Sequence, residues 1–236
     1  MRSEVVRCGH ERLRVGPWRG DHRIAFIAPV GDATPPTVAM VEHACGVLEG
    51  HGYERALTGA LAEREQRGFV AAGFEPHEQL HLLSHDLVRI PDAPPARLRR
   101  AWSRDRADAL AIDAAAFPPF WRLDRDGLRE AIDATPAARF RVAVTDGEVV
   151  GYAVTGRAGR RGYVQRLAVH PDHTGAGLGA ALVVDGLGWL RARHAELAVV
   201  NTQVGNQRAV DLYLRLGFVL EPSGLVVLAR PLGERS

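Results

Sequence analysis

The later part of the chain alternates short apolar runs with polar breaks, a pattern that predicts strands and helices in turn. Arg139–Val144 reads as a strand, Asp146-Gly147 as a tight turn, and Glu148–Val154 as the hairpin partner. Gly162–Val169 is a third strand and His170–Ala176 a loop. Gly177–Arg193 lacks proline and carries Leu178, Leu182 and Trp189 at near-helical spacing, which predicts a helix. Ala195–Gln203 is a further strand, Asn206–Leu216 a helix stopped by Gly217, and Gly224–Leu232 a last strand. Upstream, Arg104–Phe117 and Asp124–Asp133 predict two helices covering the sheet's face.

The front of the chain repeats part of this order. His22–Pro29 is strand-like, Pro35–Leu48 helical, Tyr53–Leu57 a short strand, Gly59–Ala72 helical and Glu78–Leu87 a strand. Phe69, Gly73 and Phe74 recur 144 positions on, as Tyr213, Gly217 and Phe218. This reads as half a domain duplicated before a whole one. Between them, Val88–Leu98 holds three prolines within five residues, which predicts an extended connector. The expected organisation is a partial domain over residues 1–88, a linker over 89–97 and a complete domain over 98–236.

Composition narrows the chemistry. The 236 residues are 46% hydrophobic and 25% charged, as in an ordinary globular protein, and the formal charge is only +2. That balance does not point to nucleic acid or an anionic membrane. All 30 basic residues are arginine, which excludes lysine Schiff bases and a phosphate-binding P-loop lysine. Two cysteines are too few for a disulfide scaffold, and the cysteines and ten histidines show no ligand spacing, so no metal is expected. The charged first residues and short apolar runs predict a cytoplasmic protein without a membrane span. The densest basic run, Arg97–Asp108, is diluted by acids and reads as a solvated helix face.

The informative stretch is Leu167–Leu182, LAVHPDHTGAGLGAAL, in which a strand ends, a glycine-rich loop follows and a helix begins. Glycines at 175, 177 and 179 let backbone amides approach a ligand, and a helix N-terminus suits a pyrophosphate. The same glycines also fit a close-packed strand–helix turn. A dinucleotide fold would need an acidic residue closing the next strand, but that strand ends in Asn201-Thr202-Gln203. On the next predicted helix, Asn206 is placed as a cap, and Ala209, Leu212, Tyr213 and Leu216 share one face.

Together, LAVHPDHTGAGLGAAL and N-x-x-A-x-x-L-Y-x-x-x-G-F resemble the GNAT superfamily of acetyl-CoA-dependent N-acetyltransferases, over roughly Leu98–Leu232. The resemblance implies an α/β (α+β) fold with a mixed, mostly antiparallel central sheet flanked by helices. A truncated GNAT-like half precedes it, a tandem layout similar to that of mycothiol synthases. It implies that Thr174, Gly175, Ala176, Gly177, Leu178, Gly179 and Ala180 bind the coenzyme A pyrophosphate. Leu167, Ala168 and Val169 would hold the pantetheine arm and acetyl carbonyl, Asn206 would contact the coenzyme, and Tyr213 would be the general acid near its sulfur. The family loop opens with Arg or Gln where this chain has Thr174. In the front half, aligning Pro29 with Pro171 sets Pro35 and Pro36 opposite Gly177 and Leu178, and Phe69 opposite Tyr213, so that half is expected to bind no coenzyme.

The implied acceptor is a small-molecule amine or a peptide N-terminus; AF-x-x-FW is similar to ribosomal-protein alanine acetyltransferases, whereas the tandem layout favours a small amine. Phe117, Trp121, Tyr152 and Asn201 are the candidate acceptor-pocket residues. Many relatives carry a glutamate base on the strand before the glycine loop, where this chain has Gln165 and Arg166. Glu148, Asp113, His170 and His173 are base candidates by type, and none is assigned. A non-catalytic coenzyme-binding module is the alternative. The tandem layout can satisfy a sheet edge internally, which favours a monomer over a dimer.

Overall fold

A computed structural model describes residues 3–30 and 35–233. In chain order its elements are β1 (Glu4–Cys8), β2 (Glu11–Pro17), β3 (Ile24–Pro29), α1 (Val38–Gly50), β4 (Arg55–Thr58), α2 (Glu63–Ala71) and β5 (Glu75–His85). There follow β6 (Arg97–Arg100), α3 (Arg106–Ala116), α4 (Arg125–Asp133), β7 (Ala137–Thr145), β8 (Glu148–Ala158) and β9 (Arg161–Val169). The chain closes with α5 (Leu178–Ala192), β10 (Leu197–Gln203), α6 (Gln207–Arg215), β11 (Val219–Leu220) and β12 (Leu225–Pro231). It forms two compact units, one of residues 1–81 with 222–236 and one of residues 82–221. These limits differ from the division expected at 89–97, chiefly because the last strand belongs with the first unit.

In the first unit β1, β2 and β3 form an antiparallel meander, and β3 pairs in parallel with β4 through the α1 crossover. β12 lies between β4 and the early part of β5, antiparallel to both. Its Leu228 is buried in a core with Ile27, Met40, Leu48, Phe69 and Phe74. Helix α2 begins at Glu63 rather than Gly59 because Leu61 exchanges backbone hydrogen bonds with Val226. α1 begins at Val38 rather than Pro35, capped by the Thr37 hydroxyl, which accepts from the Met40 amide at 3.3 Å. Cys45 lies in this core, and burial pushes its thiol up to about 12, well above the usual range, whereas Cys8 is exposed. One thiol per chain is therefore expected to react rapidly with a disulfide reagent at pH 8, the second only as denaturant opens the first unit. Two rapid equivalents would contradict this packing.

The second unit carries a sheet of β6, β7, β8 and β9, antiparallel throughout, with β10 added in parallel to β9. α5 packs on one face: Leu178 and Leu182 meet Ala143, Val150 and Ala153, and Leu187 and Leu190 are fully buried beside α6. Each such leucine contributes roughly 1.5–3 kcal/mol. This anchoring of α5 fixes the loop that enters it. α3 and α4 cover the other face through Ala109, Ile112 and Leu128 against Val142, Tyr152 and Val154. Two irregularities shape the sheet. β9 carries an extra residue, Gln165, where Val154 pairs with Arg166 and Thr155 with Val164. The β9–β10 pairing runs only from Arg161–Leu197 to Tyr163–Val199, and beyond it the ladder stops.

Candidate active site

The broken ladder leaves Leu167, Ala168 and Val169 without a β10 partner, and there a cavity of about 500 Å³ opens in the second unit. Its wall includes those three residues, the loop Thr174–Gly175, the first turn of α5, Asn206 at the N-cap of α6 and Phe117 at the end of α3. The volume falls in the usual range for small-ligand sites, about 300–1,000 Å³.

The loop geometry follows from its glycines. Gly175 and Gly177 have φ of +86° and +78°, the left-handed region, and Gly177 is the N-cap of α5 with no side chain to fill it. A Cβ on Gly177 would also stand 2.9 Å from the Pro94 ring. The first helical bond runs from the Ala181 amide to the Gly177 carbonyl at 2.9 Å. The amides of Leu178, Gly179 and Ala180 thus find no acceptor among the described residues and line the cavity wall. Open amides at a 15-residue helix's positive end form an anion site. Thr174 takes a different part from an anion ligand: its amide and hydroxyl both donate to the Pro171 carbonyl, at 3.2 and 2.7 Å, which braces the turn. Ala176 is exposed and is not among the cavity-lining residues.

α6 forms the facing wall. The Asn206 side chain caps it by accepting from the Ala209 amide at 3.2 Å. Leu212 lies 3.5 Å from where a Cβ on Gly179 would stand, so this helix face meets the first turn of α5. Arg208 and Arg215, one turn to either side of Leu212, line the same cavity and add positive charge to it. Neither arginine belongs to the motifs that mark the site in the sequence, although both share the i, i+4, i+7 face with Leu212. Tyr213 follows the cavity-lining Leu212 on α6. Its ring packs 5.3 Å from Phe218 in the core, 5% of it is exposed, and it is absent from the cavity lining. Burial pushes its hydroxyl pKa up, and no hydrogen bond holds that hydroxyl among the described residues.

The α3 side of β9 is occupied by an ion-pair network. Arg166 binds Asp113 with two bonds, Nε to Oδ2 at 2.7 Å and Nη2 to Oδ1 at 2.8 Å. Asp113 is wholly buried and also accepts from the Tyr152 hydroxyl at 2.5 Å and the Leu123 amide at 2.7 Å. Arg166 donates to the Trp121 carbonyl at 2.7 Å and lies 3.5 Å from the Phe117 ring centroid. Of the acceptor-pocket candidates, Phe117 lines the cavity, whereas Trp121 is outside the lining and its carbonyl accepts from Arg166. Tyr152 is buried beneath the wall, and Asn201 is exposed on β10 outside the cavity lining. Of the base candidates, Asp113 is taken up by four donor contacts, His173 lines the cavity, and His170 accepts from the Asp172 amide at 3.4 Å. Glu148 is exposed at the start of β8.

The Acetyltransferase (GNAT) family model matches residues 106–218, the segment that supplies α3, both faces of the broken ladder and the glycine loop. The chain is 32% identical over 221 residues to a mycothiol acetyltransferase of Streptomyces coelicolor, covering 81% of this chain and 71% of the relative. It is 30% identical over 256 residues to one of Streptomyces griseus, covering 92% and 83%. The chain belongs to the GNAT acetyltransferase family. Its fold matches a tandem GNAT protein from the clavulanic acid biosynthesis pathway with a TM-score of 0.69 at 16% identity, over 98% of this chain and 83% of that one. The protein is an acetyl-CoA-dependent N-acetyltransferase, and no helix among the described residues is long and apolar enough to cross a membrane.

Proposed function

We propose that the second unit transfers an acetyl group from acetyl-CoA to a primary amine of a small molecule, by direct attack in a ternary complex. The observation that carries this reading is the row of unpartnered amides from Leu178 to Ala180, set in the wall of a cavity beside the broken β9–β10 ladder. Those amides would hold the pyrophosphate, with Arg208 and Arg215 supplying further charge. The unpaired edge of Leu167–Val169 would receive the pantetheine amides by strand-like hydrogen bonding and orient the thioester carbonyl. The neutral amine nitrogen forms the new C–N bond as the C–S bond breaks; Tyr213 would give its proton to the departing sulfur, and the proton shed by the nitrogen would return to the tyrosinate. Its raised pKa keeps that proton in place at neutral pH.

The relatives named mycothiol acetyltransferase, which cover most of this chain, favour a small acceptor over a peptide N-terminus. The first unit, on this reading, binds no coenzyme. When the helix caps are superposed, Thr37 corresponds to Gly177, an offset of 140, so Pro35 and Pro36 fall opposite Gly175 and Ala176. This moves the prolines two places from the sequence alignment and leaves Thr37 at the cap. There the Glu11 carboxylate already accepts from the Thr37 amide at 2.6 Å and hydroxyl at 2.8 Å, so an anion of the protein's own fills the position.

The test is coenzyme A thiol release from acetyl-CoA across a panel of small amines and N-terminal peptides. A small amine is expected to raise release above the amine-free rate by at least about a hundredfold, the scale of one general-acid contribution. Release that no amine accelerates would instead favour a coenzyme-binding module, and acceleration by peptides alone would transfer the acceptor assignment to protein N-termini.

A further inference from the structure

The basic run Arg97–Asp108 does not fold as a solvated helix face. Arg97–Arg100 form β6, paired with Arg141–Val144 of β7, and α3 begins only at Arg106. Between them the chain turns sharply around Asp105, which is buried, accepts from the Trp102 amide at 2.7 Å, and is gripped by Arg99 at 2.6 and 2.9 Å. That pairing fixes the turn and consumes the acid nearest to it. On the outside of the turn a separate cavity of about 380 Å³ is lined by Arg100, Ala101, Trp102, Ser103, Arg106 and Phe140.

Its chemistry is unusual for a solvated surface. Trp102 is 59% exposed, although its backbone is pinned by Asp105, and the Arg104 guanidinium lies 5.4 Å from its ring centroid. An exposed indole on a rigid backbone is a stacking platform. Arg100 and Arg106 line the same notch and form no ion pair among the described residues, and no carboxylate is in the lining. Two guanidinium forks without an acid favour a doubly charged oxyanion such as phosphate over a monocarboxylate. The 11 residues of α3 separate this notch from Ala116 and Phe117 at the coenzyme cavity, about 16 Å along the helix.

We propose that the notch is a second binding site, for a planar ring carrying a phosphate, a ligand with the size and charge of a nucleoside monophosphate. The ring lies against Trp102 and Phe140, and the phosphate sits between Arg100 and Arg106 within reach of the Ser103 hydroxyl. Because its residues take no part in the acetyl-transfer site, the proposal stands apart from the reading of that site.

Calorimetric titration with adenosine 5′-monophosphate tests it, using the 236-residue chain already saturated with coenzyme A so that the other cavity is filled. One monophosphate per chain is expected, with adenosine and inorganic phosphate each binding about tenfold or more weakly. Arg100→Ala with Arg106→Ala, and separately Trp102→Ala, should each weaken binding by about tenfold or more, the loss of one charged contact or one stacked ring. All three positions are on the surface, so an unchanged thermal midpoint will show that the variants remain folded. No binding to the coenzyme-saturated protein, binding that the variants leave intact, or phosphate binding as tightly as the monophosphate would each overturn the proposal.

Discussion

Replacing Tyr213 by phenylalanine is expected to lower turnover by about a hundredfold or more while leaving the coenzyme dissociation constant within about twofold of the parent. The two expectations separate because the ring and the hydroxyl do different work. The ring fills core space against Phe218, and phenylalanine keeps that contact. The hydroxyl makes no hydrogen bond among the described residues, so its removal orphans no partner and should change stability by less than about 1 kcal/mol. What is lost, on the proposed mechanism, is the proton delivered to the leaving sulfur. Burial holds the tyrosine pKa above its ordinary value, so the phenol remains a proton donor across the neutral range and its ionisation should not limit the rate below about pH 10. Single-turnover thiol release and coenzyme binding, measured on the same protein, read both quantities. Undiminished release would take Tyr213 out of the chemistry and leave it a core aromatic.

The second large effect concerns Asp113. Asp113→Ala removes the carboxylate from Arg166, whose side chain is only 12% exposed, and leaves a guanidinium buried without its counter-ion. Breaking one side of a buried pair costs about 3–5 kcal/mol, enough to lower the melting midpoint of a unit this size by roughly 10 °C. Joint replacement, Asp113→Leu with Arg166→Met, removes both charges and should recover much of that loss, since apolar side chains of similar volume often match a buried ion pair. A double variant no more stable than the single one would show that the pair is not an independent energetic unit. The same comparison bears on function. Arg166 ties the Trp121 carbonyl and Phe117 ring to β9, and Phe117 faces the cavity, so the acceptor KM should rise in the double variant while coenzyme affinity changes little.

Much of the second unit is legible in the sequence because its signals are local. The Asp146-Gly147 turn has φ of +51° and +90°, Asn206 caps α6, and Gly175 and Gly177 mark the left-handed loop. The repeated Phe69/Gly73/Phe74 and Tyr213/Gly217/Phe218 triplets form matching caps: Gly73 and Gly217 have φ of +81° and +87°, and each aromatic pair has centroids 5.3 Å apart. Features built from distant residues are not legible in this way. Tyr152 and Arg166 lie 39 and 53 positions from Asp113 and reach it only through packing of α3 on the sheet. β1 and β2 interleave charges with apolar residues, so their weak alternation conceals a paired meander. β6, with three arginines in four residues, reads as solvated because its register with β7 is set by tertiary contact. β12 is recognisable as a strand, but its place between β4 and β5 in the first unit depends on pairing that no local pattern encodes.

The coenzyme's position is the point on which the chemical account turns, and a crystal structure with acetyl-CoA bound measures it directly. One molecule per chain is expected, its diphosphate on the amides of Leu178, Gly179 and Ala180 and its thioester within hydrogen-bonding reach of the Tyr213 hydroxyl. A coenzyme seated at the α1 N-terminus, or one whose sulfur lies far from Tyr213, would contradict it.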